Sequence, residues 1–323
     1  MKRTPEGYAP EPGYLKHRMS MMPELHDPVM PDYVIHEYDP LLDSSEMTPE
    51  HWLKIAQDIA DNYDKYNGFI VLHGTDTMAY TASALSFMFN GLQKPVIITG
   101  SQIPFCEIRN DAGENLITAL MIAANYPIPE VSLYFGNRLL RGCRSVKVNA
   151  DGFDAFDSPN FPPLGIAGID IEVNWDLIQD VSDDSTKHLI VKKSIETRVG
   201  TLRLFPGISA DIVSNILRPP LKGLVLETYG AGNAPRDSDF IDALKSAVKR
   251  GVVIVNCTQC LKGTVSSVYA TGSALAKAGV ISGFDMTTEA ALAKLFYLFS
   301  AGYESEQVKE EMQKNLRGEL TLV

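Results

Sequence analysis

Trp52, Ile55, Ala56, Ile59, Ala60 and Tyr63 recur three and four positions apart, so they line one stripe of a helix that Thr48 can cap and Pro49 can open. Short unbroken apolar runs follow at Gly68-Phe69-Ile70-Val71-Leu72, Pro95-Val96-Ile97-Ile98 and Val131-Ser132-Leu133-Tyr134-Phe135. They read as buried strands, and the segments between them, 78–89 and 115–124, read as helices. Strands alternating with helices of this length need crossover connections, which implies a mainly parallel sheet covered on both faces. A polar, charged stretch at 180–188 interrupts the pattern, which then restarts: strand 201–205, helix 210–217, strand 221–228 and strand 252–256. A helix stripe of Phe240, Ile241, Leu244 and Val248 is stopped by Gly251, and helices at 287–300 and 304–316 close the chain. The first fifty residues hold eight of the nineteen prolines and read as an ordered loop region with one short strand at 33–38. No internal repeat is visible. The pattern predicts an α/β chain of two domains, 1–184 and 200–323, joined by a linker at 185–199.

Composition narrows the partners. The 29 basic and 40 acidic residues leave a formal charge of −11, which argues against nucleic acid and against anionic membrane surfaces. A small-molecule substrate is the expectation. The start of the chain is polar and broken by prolines, no run approaches the roughly 18 apolar residues of a membrane span, and the expected compartment is the cytoplasm. Four cysteines in a chain of 323 residues fit reduced thiols. Cys257 and Cys260 form a C-x-x-C, but no second pair or histidine couple accompanies it, so core cysteines are favoured over zinc or redox chemistry.

Candidate chemistry gathers where a strand ends. His73-Gly74-Thr75-Asp76-Thr77 closes the run at Leu72 and opens a helix, putting a hydroxyl beside a carboxylate at the C-terminal end of a buried strand, where open α/β sheets bind ligands. Thr75 would need a neighbour to take its proton, and Asp76 could hold a substrate ammonium or merely cap the helix. His73 reads either as a pocket-lining imidazole or as a satisfied half-buried one. Ser44 and Ser45 precede the first helix and fit either a turn or a carboxylate-binding helix entrance. Lys147 lies near Arg138, Arg141 and Arg144, and fits either a solvated basic face or, if it approaches Thr75 and Asp76, a proton relay. Gly230-Ala231-Gly232-Asn233-Ala234-Pro235 is a weak dinucleotide fingerprint, since Pro235 stands at the third glycine and Asn256-Cys257 replace the acidic residue. Serine-hydrolase, nucleotide-triphosphatase and zinc-protease signatures are absent.

Several motifs in one order carry a resemblance: Ile35-His36-Glu37-Tyr38 with Leu42-Asp43-Ser44-Ser45, His73 to Met78, and Thr99-Gly100-Ser101-Gln102. Arg144 to Lys147, Asp151 to Phe156, Ser158-Pro159-Asn160, Tyr229 to Pro235 and Leu316-Arg317-Gly318-Glu319 extend it over essentially the whole chain. The chain resembles the cytoplasmic (type I) L-asparaginases. That resemblance implies a larger N-terminal doubly wound, mainly parallel α/β domain and a smaller C-terminal α/β domain, assembled as homodimers or homotetramers. It implies hydrolysis of L-asparagine to L-aspartate and ammonia through a threonine acyl-enzyme, without cofactor or metal. By the same resemblance Thr75 is the second, proton-handling threonine, Asp76 holds the α-ammonium, and Lys147 is the lysine. Ser44 and Ser45 bind the substrate carboxylate, Tyr8 belongs to the lid, and Asn233 reaches the neighbouring subunit's site.

Two departures modify the expectation. Such enzymes begin with a central strand ending in a T-G-G-T-[IL]-G turn that supplies the attacking threonine, and Met1 aligns just after it. The expectation is a start-site truncation of an active enzyme, with a catalytically dead amino-acid-binding or subunit-interaction isoform as the alternative. A tRNA-dependent amidotransferase subunit shares the motifs but carries an extra N-terminal domain. Val146 and Glu227 replace the threonine and arginine of a bacterial allosteric asparagine site, so activation there is not expected.

Overall fold

The computed structural model describes residues 2–5, 7–180, 188–266 and 270–322. Its contacts divide into two units, residues 1–158 with 162–191 and residues 159–161 with 192–323. Of the linker expected at 185–199, residues 185–187 lie outside the described residues, as does most of the polar stretch at 180–188.

The first unit is built on a six-stranded sheet in the order Ile171–Val173, Gly165–Ala167, Arg138–Arg141, Val131–Phe135, Val96–Thr99, Phe69–Leu72. Its three apolar runs pair in parallel, with Phe69 opposite Val96 and Val96 opposite Val131. The remaining strands extend it antiparallel, so the sheet is mixed. The change of direction comes from Gly136-Asn137, a two-residue turn with φ of 55° and 63°. Positive φ at both central residues matches the twist of a tight hairpin and is cheap only for Gly and Asn. Val96–Thr99 and Val131–Phe135 are buried along their whole length, as strands inside a covered sheet must be. Phe69–Leu72 is half-buried and reaches 40% exposure at Leu72, because its outer edge pairs with no strand among the described residues.

Helix Pro49–Asp61 starts where expected, with the Thr48 amide donating to Nδ1 of His51 at 3.1 Å, and it buries Trp52, Ile55, Ala56 and Ile59. Met78–Met88 is buried on nearly every side, which is why it shows no single apolar stripe. Residues 33–38 carry no regular secondary structure and join no ladder, correcting the expected strand. The first fifty residues instead contain a hairpin, Lys2–Thr4 with Gly7–Ala9, and a helix, Tyr14–Ser20. Met19 of that helix packs with Leu25, Leu116 and Leu120, which is the apolar reason for the helix.

The second unit holds a four-stranded parallel sheet in the order Val199–Arg203, Gly223–Thr228, Val253–Thr258, Ile281–Ser282. Helix Ser238–Lys249 covers it with Phe240, Leu244 and Ala247, and Oδ1 of Asp237 caps its start by accepting from the Phe240 amide at 2.9 Å. Helix Ser305–Met312 ends earlier than the pattern suggests. Two carbonyls at and just beyond its end, of Met312 and Lys314, turn to receive the buried Lys294 ammonium.

Candidate active site

The turn after Phe69–Leu72 is shaped by close backbone approaches. The His73 amide continues the ladder to the Thr99 carbonyl at 2.9 Å, and a Cβ on Gly100 would collide with the His73 carbonyl. A Cβ on Gly74 would strike Oγ of Ser44. Glycine is required at both positions, and the chain can then bend and start helix Met78–Met88 with Thr75 and Asp76 in the bend. Oγ1 of Thr77 donates to the Ser44 carbonyl at 2.6 Å, which draws the short turn Ser44–Glu46 against this bend. Asp43 shapes that turn: its Oδ1 accepts from the amide of Ser45 at 2.9 Å and from its hydroxyl at 2.8 Å. Ser44 is buried within it.

Lys147 comes from a separate ribbon, Val146–Lys147 paired antiparallel with Phe156–Asp157. Its Nζ donates to Oγ1 of Thr75 at 2.8 Å and to Oδ1 of Asp76 at 2.8 Å. Three of the residues expected to act together therefore meet. Because the threonine oxygen accepts from Lys147, its own proton remains available to a group in front of it. The ammonium would stabilise an alkoxide on Thr75, and the same amine once deprotonated could take the threonine proton. Asp76 balances the lysine charge yet stays open to solvent, so a cationic ligand can reach it.

His73 proves to be a satisfied imidazole. Its Nδ1 faces the Gly74 carbonyl at 2.6 Å and must carry the proton, so Nε2 accepts from the Thr81 hydroxyl at 2.9 Å, which in turn accepts from Nε1 of Trp52 at 3.1 Å. Burial pushes the imidazole below its ordinary pKa, against the opposing effect of the Gly74 bond, which keeps it neutral and fixes this tautomer.

The arginines near Lys147 do not form a solvated face. Arg141 is buried and paired with Glu130 at 2.6 Å, Arg144 is buried, and Arg138 is tied to Asp157 at 2.8 Å. The Tyr8 hydroxyl donates to Oε1 of Glu107 at 2.8 Å, which raises its pKa, and the side chain is 48% exposed. Asn233 lies in the second unit, in a turn closed by its amide bond to the Tyr229 carbonyl at 2.8 Å. The Gly232 amide also donates to the Tyr229 carbonyl, at 3.1 Å. Oγ1 of Thr258 donates to the Gly230 carbonyl at 2.6 Å, and a Cβ on Gly232 would meet Val265 at 2.8 Å. Glu227 accepts from Oγ1 of Thr201 at 3.0 Å and from Arg203 at 3.4 Å.

Cys257 is buried, with its thiol pushed up to about 12 chiefly by burial, and is inert as expected of a core thiol. Cys260 is exposed, which corrects the core reading for that residue, and both thiols are free. Among the described residues no group of three or more His, Cys, Asp or Glu could hold a metal ion, and no helix is long and apolar enough to cross a membrane.

Residues 1–179 match the sequence family described as Asparaginase, N-terminal, and residues 198–312 match the Glutaminase/Asparaginase C-terminal domain. L-asparaginase 1 of Escherichia coli K12 is 55% identical over 322 residues, covering 99% of this chain and 94% of that protein. The crystal structure of L-asparaginase I from Vibrio cholerae O1 biovar eltor superposes with a TM-score of 0.91 at 53% identity, over 100% of this chain and 95% of that one. The 60 kDa lysophospholipase of Mus musculus is 51% identical over 91% of this chain, which corresponds to 53% of that longer protein.

Proposed function

The chain belongs to the asparaginase family, and from that premise we propose that it is an amidohydrolase that converts L-asparagine and water to L-aspartate and ammonia. The observation that carries this reading is the Lys147 ammonium bridging Oγ1 of Thr75 and Oδ1 of Asp76. A threonine hydroxyl adds to the side-chain amide carbon, the C–N bond breaks, and ammonia leaves with the proton that Thr75 and Lys147 hand over. Water then cleaves the ester and releases L-aspartate. Asp76 receives the α-ammonium, and Ser44 with Ser45 receives the α-carboxylate, so a ligand lacking either charge leaves a polar group of the site unpaired. In the enzymes the chain resembles, the attacking threonine belongs to a T-G-G-T-[IL]-G turn that ends a strand. Tyr8 serves in the lid, and a second copy of the chain supplies Asn233, in a homodimer or homotetramer in the cytoplasm.

The test is ammonia release from L-asparagine, with L-glutamine in parallel, by the chain as given and by the chain preceded by a strand ending in T-G-G-T-[IL]-G. Turnover of L-asparagine is expected in the extended chain. No ammonia from the extended chain overturns the reading. Calorimetric binding of L-aspartate with no turnover in either form favours an amino-acid-binding isoform instead.

A further inference from the structure

The ribbon that carries Lys147 is not part of the main sheet, since Val146–Lys147 and Phe156–Asp157 form a two-stranded sheet of their own. Two strands of two residues cannot hold a reacting atom in place unaided. One side chain from the main sheet, Arg138, and one from the loop just beyond strand Val96–Thr99, Gln102, clasp the ribbon at its two ends. At its base, Arg138 donates from Nη1 to Oδ1 of Asp157 at 2.8 Å and from Nη2 to the Phe156 carbonyl at 2.8 Å. At its tip, Nε2 of Gln102 faces the carbonyls of Ala150 at 3.0 Å, Gly152 at 3.1 Å and Asn149 at 3.4 Å.

The tip is shaped to present those carbonyls. Oδ1 of Asn149 accepts from the amides of Asp151 at 2.9 Å and Gly152 at 3.0 Å, turning them inward. Three acceptors converging on one amide group require its NH2 end to face them. Gln102 itself stands on a fixed base. Its amide donates to Oδ2 of Asp111 at 3.0 Å and that of Ile103 to Oδ1 at 2.9 Å, while Nδ2 of Asn115 binds the Gly100 carbonyl at 3.0 Å. The same strand end receives the His73 amide through Thr99. One strand terminus therefore registers both the bend that carries Thr75 and the ribbon that carries Lys147.

We propose that Gln102 is a positioning residue that acts through the tip of this ribbon to set Nζ of Lys147 against Thr75 and Asp76. The proposal rests on reading those three residues as the reacting site. Without Gln102 the ribbon stays attached at Arg138 and its tip is released, so Lys147 moves while the substrate-binding side chains stay.

The experiment compares wild type, Gln102→Leu and Gln102→Glu by the rate at which acetic anhydride acetylates Lys147, read peptide by peptide by mass spectrometry. Exposed Lys245 reports reagent strength. Lys94, which donates to the Tyr63 carbonyl at 2.5 Å and the Tyr66 carbonyl at 2.8 Å, reports the integrity of the same unit. Loss of one or two hydrogen bonds should speed Lys147 acetylation roughly three- to tenfold, with Lys94 unchanged. Asparagine turnover, measured in the same variants of the chain preceded by a strand ending in T-G-G-T-[IL]-G, should lose kcat with KM nearly constant. An unchanged Lys147 rate in both variants overturns the proposal, as does a rise shared by Lys94, which would mean general loosening. Lys147→Met in the extended chain separates the two readings: if it turns over L-asparagine as fast as the extended chain with Lys147, the catalytic assignment fails even where Gln102 is shown to hold the lysine.

Discussion

Lys294 and Lys147 each donate to a carboxylate, at 2.6 Å to Glu319 and at 2.8 Å to Asp76, but their surroundings give the two pairs opposite uses. Lys294 and Glu319 are both 0% exposed. The ammonium also donates to the carbonyls of Lys314 at 2.5 Å and Met312 at 3.3 Å, and the carboxylate receives the amides of Leu316 at 3.1 Å and Arg317 at 2.7 Å. All three lysine protons have acceptors, so no ligand has a place there. In the other pair Lys147 is 22% exposed and Asp76 67%. An ion pair that open to water adds little to stability, and its carboxylate remains ready to receive a charge from solvent. The closed pair is a clasp for the end of the chain; the open one is a receptor that already holds a threonine oxygen.

Exchanging the lysines breaks the comparison most directly. Lys147→Met should lower asparagine turnover by about a thousandfold, the scale of a lost proton-transfer partner, with the melting temperature nearly unchanged. Lys294→Met should do the reverse, destabilising the protein by about 3–5 kcal/mol in urea unfolding because Glu319 is left charged and buried. Turnover by the fraction that remains folded should be normal. Pairing it with Glu319→Leu should return much of that loss, since an apolar replacement of both partners removes the stranded charge.

Glu289 sharpens the contrast, being a buried carboxylate in the first turn of helix Thr288–Ser300. Burial first, and Glu227 in addition, raise its pKa to about 7 from 4.5, while its own amide and Thr287 oppose the shift. A raised folded-state pKa means that its contribution to stability is fully present below 4.5 and is lost as pH rises through about 7. Glu289→Gln should therefore be more stable than wild type at pH 8, on the order of 2 kcal/mol, with the advantage gone near pH 4. A melting-temperature difference that fails to grow with pH would contradict it. The smallest effect belongs to the open pair: Asp76→Asn should change unfolding free energy by less than about 1 kcal/mol while raising KM for L-asparagine.

The turn at 73–77 was legible in the sequence because one rule covers it: a strand end followed by a helix start is where a parallel sheet leaves its chemistry. The apolar runs at 96–98 and 131–135 were legible for a related reason, as only covered strands read apolar throughout. Lys147 was named through the resemblance, whereas its approach to Thr75 could not be read from the pattern, for the contact spans 72 residues and depends on a ribbon too short to leave a periodic signal. The antiparallel extension was missed although Gly136-Asn137 is a tight-turn pair. Gln102 stood in a recognised motif without a role, because its partners are backbone carbonyls that have no sequence signature. Helix Tyr14–Ser20 lay hidden among prolines, since a single buried side chain, Met19, anchors it.

The most direct test of the open pair is ammonia release from L-asparagine by the chain carrying the T-G-G-T-[IL]-G segment, measured with and without Lys147→Met at equal folded concentration. A loss of about a thousandfold at constant melting temperature is the predicted result. Equal turnover by the two proteins would contradict the assignment of Thr75, Asp76 and Lys147 as the reacting site.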